Sequence, residues 1–196
     1  MSGAHRSLQG RWWGRGPAEP WMCLFVLADL VMFGSFFQLL AKLRVEQPQV
    51  QAAGTLALNQ LSGTLNTLVL LTSSLLLVLA CHRLLRGEGA AGRRLLDGTM
   101  VLGWLFVVIK SLEYYSKYSQ GVDPLSDDFF FYYFVLTGIH LAHVLFGLAM
   151  LVILRKLSTH REFPNFASQA VSAIALFWHL VDLLWIFLFT LFYLLP

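Results

Sequence analysis

Charge is what this sequence has least of. Asp, Glu, Lys and Arg together make up 13% of its 196 residues, whereas 57% are hydrophobic and the mean hydropathy is +0.65. A soluble domain of this length could not cover so much apolar surface, and no polar stretch is long enough to build a separate soluble domain. Cysteine is nearly absent as well. Cys23 and Cys81 fall on different predicted helices without C-x-x-C spacing. That excludes a cysteine metal or redox motif and leaves both as small apolar fillers. No internal repeat is present, and no Glu-x-x-His pair recurs on two helices, so the pattern of a di-metal carboxylate bundle is missing. The first apolar run is not followed by a small-residue cleavage site. It therefore reads as a span rather than as a cleaved leader.

What is there is a series of apolar runs long enough to cross a bilayer. They predict helices over about 21–40, 64–81, 99–117, 129–153 and 171–195. The expected fold is all-α: residues 1–20 form a basic tail, and 21–196 form one polytopic membrane domain, a five-transmembrane-helix bundle. Trp12, Trp13 and Trp21 suit an interfacial aromatic belt. The stretches Lys42–Ser62 and Gly87–Gly98 read as an outer loop and a tight basic turn. Cationic residues cluster in three segments: Arg6, Arg11 and Arg15; Arg83, Arg86, Arg93 and Arg94; Arg155, Lys156 and Arg161. These hold ten of the fourteen Lys and Arg, all on one side of the expected bundle. Positive charge collects on the cytoplasmic side, so the N-terminus is expected inside and the C-terminus outside. The basic loops need no nucleic acid to explain them.

Against this apolar background the polar residues within spans stand out. The run 129–153 holds His140 and His143, three apart and so on one helical face, flanked by Gly138 and Gly147, which leave room for a close neighbour. The last run holds His179 and Asp182 at the same spacing, and the first holds Asp29 near mid-depth. Ionisable groups at that depth are costly and normally face protein or water. Asp29 is either a packing aspartate bonded to a neighbouring helix or a protonatable gate. Lys110 and Glu113, three apart in the third run, are placed to pair with each other. The acidic segment around Asp123, Asp127 and Asp128 is either a solvated loop or a surface attractive to a basic partner such as a c-type cytochrome.

A buried network of Asp29, Glu113, His140, His143, His179 and Asp182 admits three kinds of chemistry. Histidines on facing helices can ligate haem or a metal ion, which would make the chain a membrane cytochrome built on His140, His143 and His179. The same residues can carry protons or ions, although transporters usually show repeats or broken helices. Or the network is structural and fixes helix register, with no catalytic residue and no metal.

At two stretches the sequence resembles the subunit III family of the haem–copper oxidases. These are Thr137-Gly138-x-His140-x-x-His143-Val144-x-x-Gly147 and Trp178-His179-x-Val181-Asp182-x-x-Trp185. Glu113-Tyr114 and Ala28-Asp29-Leu30 fit the same pattern, and the likeness covers about residues 17 to 196. Five helices rather than seven match the compact form, which includes the NorE-type protein that accompanies nitric oxide reductase. The resemblance implies a subunit free of haem and copper. Such a subunit packs on catalytic subunit I, binds phospholipid in a cleft and supports electron transport in a bacterial inner membrane without catalysing it. It also implies lipid or subunit contacts at Asp29, Trp178 and Trp185. Two positions depart from the family pattern. Ser172 stands where a glutamate is expected, and Lys110 where a polar uncharged residue is expected; both favour the NorE-type branch.

Overall fold

The computed structural model describes residues 20–159 and 168–195, with side chains over 24–159 and 170–195. The regular structure of the described residues is all helix, with no strand. The helices are α1 (Pro20–Glu46), α2 (Pro48–Ala57), α3 (Gln60–Leu85), α4 (Gly89–Ser119), α5 (Asp128–Leu157) and α6 (Ser168–Phe189). A π-helical turn, Thr190–Leu194, continues α6. All but α2 are long and apolar enough to cross a membrane.

The five expected spans are therefore present, with two corrections. The outer loop is not structureless, because Pro48 starts the short helix α2 at a position where a missing N–H costs nothing. Nor is 87–98 a turn: α4 begins at Gly89, and the turn proper is Arg86–Glu88. Hydropathy marks only the apolar part of a helix. Beyond it the backbone goes on coiling through Arg93, Arg94 and Asp97. The basic tail and the Trp12, Trp13 and Trp21 belt, with Cys23, lie outside the residues whose side chains are described.

Local chemistry sets several boundaries. Asn59 caps α3 by accepting from the Leu61 and Ser62 amides, and Asp127 caps α5 through the Phe130 amide at 2.8 Å. Both α3 and α4 end in the same way. Gly87 and Gly121 take φ of 81° and 76°, and the next amide reaches back to Arg83 and Lys117 respectively, closing Schellman turns.

Helices α3 and α4 form an antiparallel hairpin, joined at its middle by a bond from Ser73 Oγ to the Thr99 carbonyl. α6 lies against α3 and α5, and α4 also packs on α5. α6 is the inner helix: half of its most apolar window is buried, against 17% for α1. α1 leans on the bundle through a few contacts with α2, α5 and α6.

Candidate functional site

The two histidine motifs meet where α5 faces α6. Gly147 on α5 and Gly103 on α4 make the slot for Trp178. A β-carbon at Gly147 would lie 2.8 Å from the indole ring, and one at Gly103 would lie 3.0 Å from it. Thus Gly147 does leave room for a neighbour, and the neighbour is Trp178 together with Phe177. Gly138 has nothing within 4 Å of the same construction. Trp185 sits edge-on to Phe106, ring centres 4.8 Å apart, and donates from Nε1 to Thr67 Oγ1 on α3 at 3.0 Å. Trp178 and Trp185 are both fully buried. This corrects the expectation that they contact lipid or another subunit. They form the centre of this chain's own packing, because a large flat ring buries the most area where glycines let helices approach.

The polar residues divide into separate environments. His143 donates from Nδ1 to the Ile139 carbonyl at 2.8 Å and turns Nε2 toward Asp29 on α1, 3.4 Å away. This is a polar contact between α1 and α5, although Asp29 Oδ2 completes no hydrogen bond. With Nδ1 committed as a donor, a bond across that gap needs one proton, on either the ring or the carboxyl. His140 is wholly buried between Phe106 and Trp185, and neither of its ring nitrogens has a hydrogen-bond partner. His179 is half-buried and its Nδ1 meets Ser74 Oγ on α3 at 2.6 Å. Asp182 is buried, and its oxygens complete no hydrogen bond of normal geometry, although the Ser74 hydroxyl that meets His179 is also its neighbour.

The structure therefore brings Asp29 and His143 together. Among the described residues no hydrogen bond joins His140, His143, His179 and Asp182 to one another. Nor does any group of three or more His, Cys, Asp or Glu side chains there stand close enough to share an ion.

Glu113 belongs to a different cluster, centred on Lys110, which is fully buried. Lys110 Nζ donates to Tyr193 Oη at 2.8 Å, to Tyr133 Oη at 2.9 Å and to Glu113 Oε2 at 3.4 Å. Both phenols then donate to Glu113 Oε1, at 2.6 Å from Tyr193 and 2.9 Å from Tyr133. All three ammonium N–H groups are used, and each tyrosine accepts from the lysine and donates to the glutamate. The ammonium also lies 4.5 Å from the Tyr133 ring centre, within cation–π range. The cluster ties α4, α5 and the terminal π-turn into one unit. The i,i+3 spacing announced the Lys110–Glu113 half. The tyrosines did not stand out among sixteen phenylalanines and six tyrosines. The available signal was that a phenol inside an apolar span must find a partner.

The ends of the helices are tied by charge. Arg155 on α5 pairs with Asp97 on α4 at 2.7 Å, and Arg93 donates to the Ser158 carbonyl at 3.0 Å. The Arg83 guanidinium holds the exposed Glu88 carboxyl below its usual range. At the opposite end the acidic segment is largely occupied locally. Asp127 caps α5, Asp123 accepts from the Leu125 amide at 2.8 Å, and Asp128 accepts from Gln47 Nε2 at 3.1 Å.

Comparison with known proteins places this arrangement among described chains. The family model for cytochrome c oxidase subunit III matches residues 18–195. The chain is 29% identical to cytochrome c oxidase subunit 3 of Pelomedusa subrufa over 86% of its own length and 66% of that protein's. It is 31% identical to the Pisaster ochraceus protein of the same name over the same shares. With the Corynebacterium diphtheriae protein of that name the identity is 35%, over 63% of this chain and 60% of the relative. The chain thus spans somewhat less than two thirds of the length of these relatives.

Proposed function

The chain belongs to the cytochrome c oxidase subunit III family, and on that premise we propose that it is an accessory, cofactor-free subunit of a respiratory haem–copper oxidase. In this reading it packs on catalytic subunit I, holds phospholipid beside the loosely attached α1, and supports electron transport without redox chemistry of its own. The observation that carries the reading is the family match over nearly the whole chain, with both histidine motifs at the core of the α5–α6 packing. The side chains support the cofactor-free part. His143 is directed at Asp29 and His179 at Ser74, while His140 is enclosed by aromatic rings. Three imidazoles used in three directions suit a packing role better than shared ligation.

The reading places the chain in a bacterial inner membrane, with the N-terminus in the cytoplasm and the C-terminus outside. In support, the bonds from Arg93 to Ser158 and from Arg155 to Asp97 bring the α3–α4 turn and the end of α5 to one end of the bundle, so their cations share a side. A second partner, a nitric oxide reductase, is favoured by Lys110 and Ser172, the two departures from the oxidase pattern.

Affinity purification of the full chain in mild detergent, with identification of the co-purifying proteins, tests the proposal. A haem–copper catalytic subunit in roughly equal amount is the expected result. A nitric oxide reductase catalytic subunit would select the second reading, and recovery of the chain alone would defeat both.

A further inference from the structure

A groove of about 390 Å³ runs along the face of the α3–α4 hairpin, at the end where α2 turns into α3. We propose that it is a binding site for the phosphodiester of an anionic phospholipid, with Lys117 as the cation. The groove is separate from α1 and from the Asp29–His143 contact. The proposal rests on the membrane-spanning reading and not on the identity of the catalytic partner.

Depth comes first. α4 has 31 residues, which at 1.5 Å each rise ~46 Å, whereas the hydrocarbon core is ~30 Å thick. Lys117, two residues from the end of α4, therefore sits at headgroup level. Ile109 and Leu112 line the same groove two turns and one turn deeper, where acyl chains lie. Leu112 is well exposed, so the apolar part opens outward rather than into the bundle. Free phosphate has no reason to occupy such a groove, whereas a phosphate carrying acyl chains does.

Charge comes second. Lys117 is buried, and its ammonium donates to the Ala57 carbonyl and to Gln120 Oε1. A third N–H is left for an anion. Glu113 lines the groove too, and an uncompensated carboxylate there would repel phosphate. Its oxygens, however, are taken up behind the wall by Lys110, Tyr133 and Tyr193. The two charges of that pair cancel, and the wall presents the single positive charge of Lys117. For the same reason Glu113 offers nothing to the ammonium of a zwitterionic headgroup. Lys110 thus acts on the groove at one remove, by neutralising its acidic wall. Ser62 and Ser116 also line the groove and supply short polar side chains to it.

The test is native mass spectrometry of the full chain with its co-purifying subunits. The protein is delipidated in mild detergent and titrated with phosphatidylglycerol, phosphatidylcholine or inorganic phosphate. One phosphatidylglycerol per chain is expected to bind at this groove, phosphatidylcholine more weakly, and inorganic phosphate should not compete. Lys117→Gln is expected to lower phosphatidylglycerol affinity about tenfold, the scale of one charge-assisted hydrogen bond. Lys117→Arg should keep it. Ser62→Leu fills part of the groove while leaving the bonds of Lys117 to Ala57 and Gln120 in place, so it should lower affinity without a folding defect. Unchanged binding in both Lys117→Gln and Ser62→Leu would overturn the proposal. So would equal affinity for the two lipids, or competition by free phosphate.

Discussion

Two contacts between an acidic and a basic side chain in this bundle have different settings. Lys110 and Glu113 lie on one helix, are buried, and are bridged by two tyrosines that each accept from the lysine and donate to the glutamate. Asp29 and His143 lie on different helices, the aspartate buried and the imidazole part-buried, 3.4 Å apart and without bridging groups. The first contact belongs to the closely packed body of α3–α6; the second attaches α1 to that body. The difference teaches that burial alone does not make a charged pair strong. A buried pair holds when its remaining donors and acceptors are satisfied, and the cost of breaking it then comes from the charge left behind.

The largest effect should therefore follow from removing one member of the enclosed pair. Lys110→Met or Glu113→Leu alone is expected to destabilise the protein by ~3–5 kcal/mol, since each strands a charge inside the bundle. The double variant should recover much of the loss. Denaturation in detergent measures all three, and strict additivity would mean that the pair is not coupled.

Next in size is Gly147→Ala. Its new methyl would press on the Trp178 ring from 2.8 Å, and overpacking of this kind costs ~1–3 kcal/mol. Gly138→Ala on the same helix meets nothing within 4 Å and should be neutral or stabilising by up to ~1 kcal/mol, because alanine is the better helix former. If the two substitutions behaved alike, the contrast between the packed and open faces of α5 would fail.

Asp29→Asn should cost only ~1 kcal/mol in the same assay, the net worth of an ordinary hydrogen bond. Its mark should instead be local: faster proteolysis or amide exchange in α1, with α3–α6 unchanged. Uniform loss of protection would show that α1 is as integral as the rest.

The smallest effect is expected at the exposed Arg83–Glu88 contact. The Glu88 carboxyl is held below its usual range, so its contribution is complete above the ordinary carboxylate pKa and fades as pH falls through the lowered value. Glu88→Gln should leave stability at neutral pH unchanged within error, as exposed pairs often do.

These contrasts also show what could be read from the sequence. The five spans were legible because runs such as 129–153 have no other use in a chain with so little charge. Their ends were not, because Arg93 and Asp97 continue α4 after hydropathy has fallen. α2 escaped notice for the same reason: its Gln and Ala residues give no apolar run, and only Pro48 hinted at a helix start. The histidine motifs were recognisable by spacing, but spacing assigns a face and not a partner. Nothing in the one-dimensional pattern says that His179 turns to Ser74 while His143 turns to Asp29. Trp178 and Trp185 are expected as lipid or subunit contacts only because the family resemblance implies it. Gly103, Gly147 and Thr67 are what draw them inward, and each of those three lies on a different helix from the tryptophans.

The central claim is that this chain assists a haem–copper enzyme without carrying its cofactors. It is tested most directly by purifying the complex through a tag on this chain, separating the subunits in stronger detergent, and recording the optical spectrum and metal content of each fraction. The account predicts that all haem and copper travel with the large catalytic subunit and that the fraction holding this chain has no Soret band. A Soret band at one haem per chain in that fraction, lost in His140→Ala or His179→Ala, would contradict it.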